Sequence, residues 1–173
     1  AEPFYALVEK HPNSARIQNY LGRCLFKAGQ TDEARERFDR ALDLMPQFAE
    51  ARGNLAVLHW EQGRLDEAVE HMIKAAELAP NDPDTLFNIG MIYAQLGQST
   101  EAIEALTSYL TVSPEDNNTR VHLAALLIDA GHETEGLEAL EHVLGEDPEH
   151  EDAARVLRQL EVLVAANEGP QGL

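Results

Sequence analysis

Proline recurs at one fixed interval along most of the chain. Pro12, Pro46, Pro80, Pro114 and Pro148 each stand 34 residues after the one before. A fixed period of this length is the sequence signature of repeated structural units, each of which buries its apolar face against the next unit. Such units are stacked in a row and contact mainly their neighbours, so the interval constrains the fold more than any other feature.

Three other kinds of position keep the same interval. A large apolar residue beside a small one indicates that a side chain packs there while the backbone of a neighbouring element comes close. Further along, each repeat has one small residue and then one large apolar residue. These columns are Leu21-Gly22, Leu55-Ala56, Ile89-Gly90 and Leu123-Ala124; Ala34, Ala68, Ala102 and Gly136; and Phe38, Met72, Leu106 and Leu140.

A fourth column, glycine in every repeat, divides each repeat into two predicted helices. Before Gly29, apolar residues stand at positions 17, 21, 25 and 28, and after it they stand at 34, 38, 41, 42 and 45. Both spacings are those of one helix face. Glycine favours the left-handed conformation that ends the first helix, and proline ends the second. We expect Thr31 and Ser99 to cap second helices, and Asp82-Pro83 to begin a first helix.

A 34-residue helix–turn–helix unit with these columns resembles the tetratricopeptide repeat (TPR) family. The resemblance implies an all-α fold, a right-handed α-solenoid of TPR helix–turn–helix repeats. Tyr109 and Val143 replace the alanine found at Ala41 and Ala75, and Gly136 replaces the alanine of the other repeats, so different packing is expected there. The residues that carry the resemblance are Leu21-Gly22, Ala34, Phe38, Ala41 and Pro46 in the first full repeat, and Ile89-Gly90, Tyr93, Ala102 and Pro114 in the third.

The interval also predicts how the chain is divided. Four full repeats are expected, preceded by the second helix of a truncated repeat and followed by a capping helix and a disordered tail. The predicted bounds are 1–14 for the truncated repeat, 15–48, 49–82, 83–116 and 117–150 for the TPRs, 151–166 for the capping helix and 167–173 for the tail.

The composition excludes several classes of partner. The chain holds 13 Lys and Arg residues against 31 Asp and Glu residues, for a net charge of −18. This argues against nucleic acid, whose phosphates need cationic side chains, and against an anionic membrane surface. No apolar run approaches the roughly 20 residues that cross a bilayer, so membrane insertion is not expected. Cys24 is the only cysteine, which excludes an intrachain disulfide.

Motifs for catalysis and metal binding are missing from the sequence. The seven histidines never pair at i and i+4 as in the HExxH motif, and "HETEG" has no second histidine. Neither a P-loop nor a GxGxxG motif occurs. The sequence therefore predicts a chain that is not an enzyme and that has no catalytic residue, no metal site and no cofactor.

Each predicted first helix carries a second stripe of residues, on a different face from the Leu-Gly positions. The sequence alone does not decide whether this stripe faces a partner. The family resemblance implies that it does, because first helices line the concave groove in which TPR proteins hold a peptide or helix. The predicted partner-binding residues are Arg16, Asn19, Tyr20, Arg23, Phe26, Lys27, Asn54, Val57, Trp60, Phe87, Asn88, Met91 and His122.

Four members of the stripe form a predicted apolar lane. Phe26, Trp60, Phe87 and Met91 follow one another through the first three repeats, and Trp60 is the only tryptophan. Tryptophan is favoured at binding hot spots. The alternative is that these side chains only pack against neighbouring helices.

Polar members of the stripe predict contacts of two kinds. Asn54 and Asn88 are one repeat apart, and the resemblance implies that they bond the backbone of an extended peptide, for which a carboxamide offers donor and acceptor. Arg16, Arg23 and Lys27 make the first stripe basic. The later stripes are acidic, with Glu50, Glu61, Asp84, Asp129 and Asp152. This polarity would orient a dipolar peptide with its acidic end on the first stripe. The alternative is a solvated charged face.

The sequence therefore favours a non-catalytic module that binds a peptide or helix of a partner protein in its concave groove. Two alternatives remain. A self-associating structural scaffold, and so a homo-oligomer, is suggested by the apolar residues Phe4, Leu7 and Val8 in the truncated repeat. The chain could also be the TPR arm of a larger enzyme.

Overall fold

All regular elements in the described part of the chain are α-helices. The computed structural model describes residues 10–167, with side chains described as far as residue 160 and at Val162. Phe4, Leu7 and Val8, and the predicted tail beyond Asn167, lie outside the described residues. Numbered in chain order, the helices within this range are α1 (Ala15–Lys27), α2 (Thr31–Leu44), α3 (Ala49–Glu61), α4 (Leu65–Leu78), α5 (Pro83–Gln95), α6 (Ser99–Val112), α7 (Asn117–Asp129), α8 (Glu133–Glu146) and α9 (Glu151–Asn167).

The glycine column ends the first helix of each pair, as predicted. Gly29 has a φ of 76°, in the left-handed region that glycine adopts without a steric penalty. Its N–H donates to the carbonyl of Phe26, and the N–H of Gln30 donates to the carbonyl of Leu25, both at 2.9 Å. This pair of bonds is the Schellman motif, which satisfies carbonyls left free at a helix end. The equivalent glycines 63, 97 and 131 also have positive φ.

Thr31 and Ser99 do not cap the second helices, so that prediction is wrong. The helices α2 and α6 begin at these two residues, and the N-cap positions belong to Gln30 and Gln98, neither of which makes a side-chain cap hydrogen bond. The reason is the tight turn after the glycine. Gln30 already bonds back to α1 through its own N–H, so the second helix starts one residue earlier than a threonine cap would require.

The large and small columns pack closely, but at Gly22 a side chain fills the space where the sequence predicts a neighbouring backbone. The Phe38 side chain of α2 is fully buried. A Cβ added to Gly22 of α1 would lie 2.6 Å from the Phe38 ring, so the ring occupies the space that the glycine leaves open. Gly136 plays a related part in α8, where an added Cβ would lie 2.9 Å from the backbone oxygen of Ala124. Glycine there permits the close approach of α7.

The chain divides after Ile92 into two compact units, called unit 1 and unit 2. Each has its own apolar core, and α5 begins in unit 1 and ends in unit 2. The core cluster of unit 1 contains Leu21, Leu25, Ala34, Phe38, Leu55 and Leu58, and that of unit 2 contains Val121, Ala124, Leu140, Val143 and Ala153.

Two histidines stack in unit 1. His59 of α3 is only 8% exposed, and its ring lies 5.3 Å from that of His71 of α4, with 10° between the ring planes. Neither Nδ1 atom has a hydrogen-bond partner among the described residues. Burial, followed by the charge of Arg64, lowers the pKa of His59 below 6.5. Burial and then His59 itself lower the pKa of His71. The pair is therefore held neutral near pH 7.

Aspartates cap two of the first helices. The Asp82 carboxylate accepts hydrogen bonds from the N–H and the hydroxyl of Thr85, at 2.9 and 2.6 Å, so the cap predicted before α5 is confirmed. One interval later, Asp116 accepts from the N–H of Thr119 at 3.1 Å and from its hydroxyl at 2.8 Å. It also accepts from the Tyr109 hydroxyl at 2.8 Å. The departure at Tyr109 thus gives α6 a direct bond to the cap of α7.

Replacing Asp116 with alanine is expected to lower the free energy of unfolding by about 1–2 kcal/mol, because the N–H of Thr119 loses its acceptor. Burial raises the pKa of Asp116, but the hydrogen bonds from Thr119 and Tyr109 outweigh it and leave the pKa below 3.8. The stabilisation is therefore present above the unfolded pKa and is lost as the pH falls through the folded one. Urea unfolding at neutral pH and at about pH 3 measures both effects. An equal loss at both pH values, or an equal loss in an Asp66→Ala control, would contradict the assignment.

Candidate functional site: the unit-1 groove

Three successive first helices, or their first turns, border a groove in unit 1. Its volume is about 400 Å³. Side chains of α1, α3 and the first part of α5 line it. We call it the unit-1 groove, and the stripe residues that define it are Arg23, Glu50, Gly53, Asn54, Val57, Asp84 and Asn88.

Helix geometry explains why these side chains meet. On α3 the positions 50, 53, 54 and 57 are separated by three, four and seven residues, which places them on one helix face. The residues of α5 at 84 and 88 are 34 positions beyond 50 and 54. The period of the sequence therefore brings equivalent faces of neighbouring repeats to the same groove.

A hydrogen bond between two asparagines joins α1 to α3 beside the groove. The Nδ2 atom of Asn54 donates to the Oδ1 atom of Asn19 at 2.8 Å. Asn19 is 2% exposed, so it lies beneath the surface, whereas Asn54 is half-buried and lines the groove. Because a buried polar group without a partner is costly, this bond fixes the orientation of the Asn54 carboxamide.

An ion pair links α1 and α3 across the groove. Arg23 Nη1 donates to Glu50 Oε1 at 2.9 Å, and the two side chains are 48% and 53% exposed. An exposed pair of this kind contributes only about 0.2–1 kcal/mol to stability. The groove also contains Asp82 and Asp84. Since Arg23 is the only basic residue among those that line the groove, the lining carries an excess of negative charge.

The structure separates the predicted apolar lane from the groove. Phe26 is half-buried and packs against the core cluster of unit 1. Trp60, Phe87 and Met91 are also half-buried, and the described lining of the unit-1 groove includes none of the four. For Phe26, packing against this cluster, which contains residues of the first two full repeats, is the contact that the structure records. A role for these side chains in binding a partner stays a prediction.

The remaining predicted residues lie elsewhere. Arg16, Tyr20 and Lys27 are exposed on α1, outside the residues that line the groove. His122 is exposed on α7 in unit 2. It belongs to a separate groove of about 340 Å³, formed within that unit by equivalent positions of α7 and α9. There Asp152 and Arg155 form an ion pair at 2.7 Å.

The predicted partner-binding residues did not include the residues that precede the first helices. Phe48 stands just before α3 and Asp82 just before α5, and both line the unit-1 groove. They are 34 residues apart, so they belong to one column of the repeat. That shared column is the signal that could have identified them. Glu50 and Asp84 were recognised as stripe positions but were not predicted to bind a partner.

The described residues contain neither a cluster of metal ligands nor a membrane-spanning helix. Over residues 10–167, no three His, Cys, Asp or Glu side chains are grouped so that they could hold a metal ion. No helix in the same range has the length and apolar character needed to cross a membrane.

Solved structures similar to this chain share its architecture. YrrB, described as a TPR protein with an unusual peptide-binding site, superposes with a TM-score of 0.86 at 21% identity, over 95% of this chain and 85% of that one. MamA superposes with a TM-score of 0.74 at 19% identity, over 84% of this chain and 85% of that one. These identities support the fold alone. They confirm the predicted fold class, an all-α helical-repeat solenoid.

A curated relative matches a short part of the chain. The peroxisomal targeting signal receptor of Candida glabrata is 41% identical over 54 residues, which make up 31% of this chain and 9% of the receptor. The chain therefore spans only a small part of that protein.

Family models match most of the sequence. One tetratricopeptide repeat model matches residues 25–86 and 93–160, and a second matches residues 4–36 and 72–104. Repeats of this kind form protein-interaction modules and are generally non-catalytic. The repeat interval, the helix pairs and these matches agree, and the chain belongs to the tetratricopeptide repeat family.

Proposed function

We propose that this chain is a non-catalytic interaction module that holds an extended segment of a partner protein in the unit-1 groove. The observation that carries the proposal is the lining of the groove. Stripe residues of three successive repeats, Arg23, Asn54 and Asn88 among them, border the same 400 Å³ space. The segment would lie across first helices, with successive residues meeting successive repeats.

The lining offers the contacts that an extended backbone needs. An extended segment has unpaired N–H and C=O groups, and carboxamides can both donate and accept. Asn54 and Asn88 are at equivalent positions one repeat apart, and Asn54 is held in place by Asn19. Val57 also lines the groove and offers an apolar contact. Because few of these contacts are deeply buried, we expect modest affinity, with a Kd on the order of micromolar, or about 8 kcal/mol.

The comparisons support peptide binding as the role of this kind of surface. The structure of YrrB is described as having a peptide-binding site, and the yeast relative is described as a targeting signal receptor. Those descriptions belong to those proteins. They support the proposal for this chain through the shared fold and a short matching segment.

Narrowing the groove tests the proposal. Peptides that bind the intact chain would be selected from a random displayed library, and the Kd of the tightest would be measured by fluorescence anisotropy. Val57→Tyr places a larger side chain in the groove and is expected to weaken binding roughly tenfold or more, equivalent to about 1.4 kcal/mol or more. Asn88→Ala removes one carboxamide and should weaken binding by a few fold, equivalent to roughly 0.5–1.5 kcal/mol.

Val112→Tyr is the matched control. Val112 is 45% exposed at the end of α6 and lies outside the described grooves. This variant should bind like the unchanged chain. Equal binding by all variants, or a library that yields no binder at all, would reject the unit-1 groove as the binding surface.

A further inference from the structure

We propose that the segment held in the unit-1 groove is cationic, with a lysine or arginine that lies against Asp84 and Asp82. This inference rests on the proposed function, since it names the chemistry of the segment that the same groove would hold. It differs from the sequence-based expectation, in which a basic first stripe meets the acidic end of a peptide.

The charges that line the groove support a cationic occupant. Glu50, Asp82 and Asp84 contribute three carboxylates, and Arg23 contributes the one cation. Arg23 is already paired with Glu50 at 2.9 Å, so its charge is offset within the groove. The other two residues of the basic first stripe, Arg16 and Lys27, lie outside the lining, so they add no positive charge to the groove.

The two remaining carboxylates differ in how they are used. Asp82 caps α5 and accepts two hydrogen bonds from Thr85. A capping carboxylate keeps its negative charge and further lone pairs, so it can still attract a cation. Asp84 is exposed in the first turn of α5 and lines the same groove. The N–H groups of a lysine or arginine side chain could donate hydrogen bonds to these carboxylate oxygens.

The groove of unit 2 provides an internal comparison. It is formed by equivalent stripe positions, but its one aspartate, Asp152, pairs at 2.7 Å with Arg155, which also lines it. Apart from the histidines, the lining of that groove has one acidic and one basic side chain, so their charges cancel. The excess of negative charge is therefore a property of the unit-1 groove and does not follow from the repeat alone.

The helix dipole explains part of this pattern. Acidic residues in the first turn of a helix interact favourably with its dipole, and α2 and α4 also begin with acidic first turns. The dipole explains why Asp84 is acidic. The dipole favours an acidic residue anywhere in the first turn, so it does not explain why this one faces the groove. The test therefore compares Asp84 with a first-turn aspartate outside the groove. Asp66 of α4 is exposed and meets that need.

The test uses the tightest peptide from the library that depends on the groove. Its basic residues are replaced by glutamine in one synthetic version and by glutamate in another, and Kd is measured near physiological salt. We expect the selected peptides to be enriched in lysine and arginine, and the glutamine version to bind several-fold more weakly. Asp84→Asn should weaken the original peptide roughly two- to fivefold, whereas Asp66→Asn makes the same change in net charge and should leave Kd unchanged.

The outcomes separate this inference from the proposed function. If Val57→Tyr weakens binding as expected but charge on the peptide and at Asp84 has no effect, the groove binds peptides and the cationic preference is wrong. Equal weakening by Asp84→Asn and Asp66→Asn would also overturn the preference, since only net charge would then matter. If Val57→Tyr has no effect on any peptide, the proposed function itself fails.

Discussion

Replacing Phe38 with alanine is expected to lower the free energy of unfolding of unit 1 by about 3–5 kcal/mol. The Phe38 ring is fully buried and lies against Gly22, inside the core cluster of α1, α2 and α3. Its removal takes away the apolar surface that it buries and leaves a cavity that the helices can fill only in part. Because each repeat depends mainly on its neighbours, urea unfolding followed by a probe in unit 1 is the appropriate measurement.

The partner residue makes this prediction specific. Gly22→Ala alone is expected to cost about 1–3 kcal/mol, because a Cβ would lie 2.6 Å from the Phe38 ring. In the Phe38→Ala background the same change should cost nothing or should stabilise, since alanine favours a helix by about 1 kcal/mol over glycine. Additive effects of the two changes would contradict the packing of Phe38 on Gly22.

Acidification below about pH 6.5 is expected to destabilise unit 1 through the stacked pair His59 and His71. Both pKa values are lowered in the folded chain, chiefly by burial. The unfolded chain therefore takes up protons that the folded chain does not, so stability falls as the pH drops through the unfolded value of 6.5 towards the folded values. Each such proton contributes up to about 1.4 kcal/mol per pH unit.

The charges around the pair act in both directions. Arg64 opposes protonation of His59, whereas Glu67 and Asp39 favour it less strongly. Once one ring is protonated, its charge opposes the second proton at a ring centroid only 5.3 Å away. Urea midpoints between about pH 7.5 and pH 5 report the effect, because the histidine titration lies within this range.

A double variant removes the titration and keeps the stacked rings. His59→Phe/His71→Phe also removes the two buried Nδ1 atoms that have no partner among the described residues. It is expected to be at least as stable as the unchanged chain at pH 7, with a smaller loss of stability on acidification. His142→Gln, at an exposed position of α8, is the control and should keep the full pH dependence. If the double variant keeps it as well, the stacked pair is not its source.

The repeat interval predicted most of the fold because backbone requirements recur with it. A left-handed residue is needed after every first helix, and only glycine adopts that conformation without penalty, so Gly29 and its equivalents mark the turns. The small residue at Gly22 predicted a close approach by a neighbouring backbone, whereas the structure places the Phe38 ring there. The capping at Thr31 was predicted wrongly, because the Schellman bond of Gln30 sets where α2 begins.

The candidate site was predictable only in part. Stripe spacing identified Asn54, Val57 and Asn88 as neighbours, because helix geometry fixes which residues share a face. It did not reveal that Arg23 pairs with Glu50, since a side-chain pair between helices depends on where each rotamer points.

The histidine stack was equally hidden from the sequence. His59 and His71 are 12 residues apart and meet only when α3 packs on α4. Nothing in the spacing distinguished His59 from the exposed histidines.

Amide chemical shifts would show whether the unit-1 groove is the surface that binds the partner segment. The labelled chain would be titrated with the selected peptide, and shift changes would be assigned to residues. We predict that they cluster at Gly53, Asn54 and Asn88 and that Val57→Tyr needs roughly tenfold or more peptide to reach the same changes. Shift changes confined to α2 and α4, with Gly53 and Asn88 unmoved, would mean that the peptide binds outside the unit-1 groove.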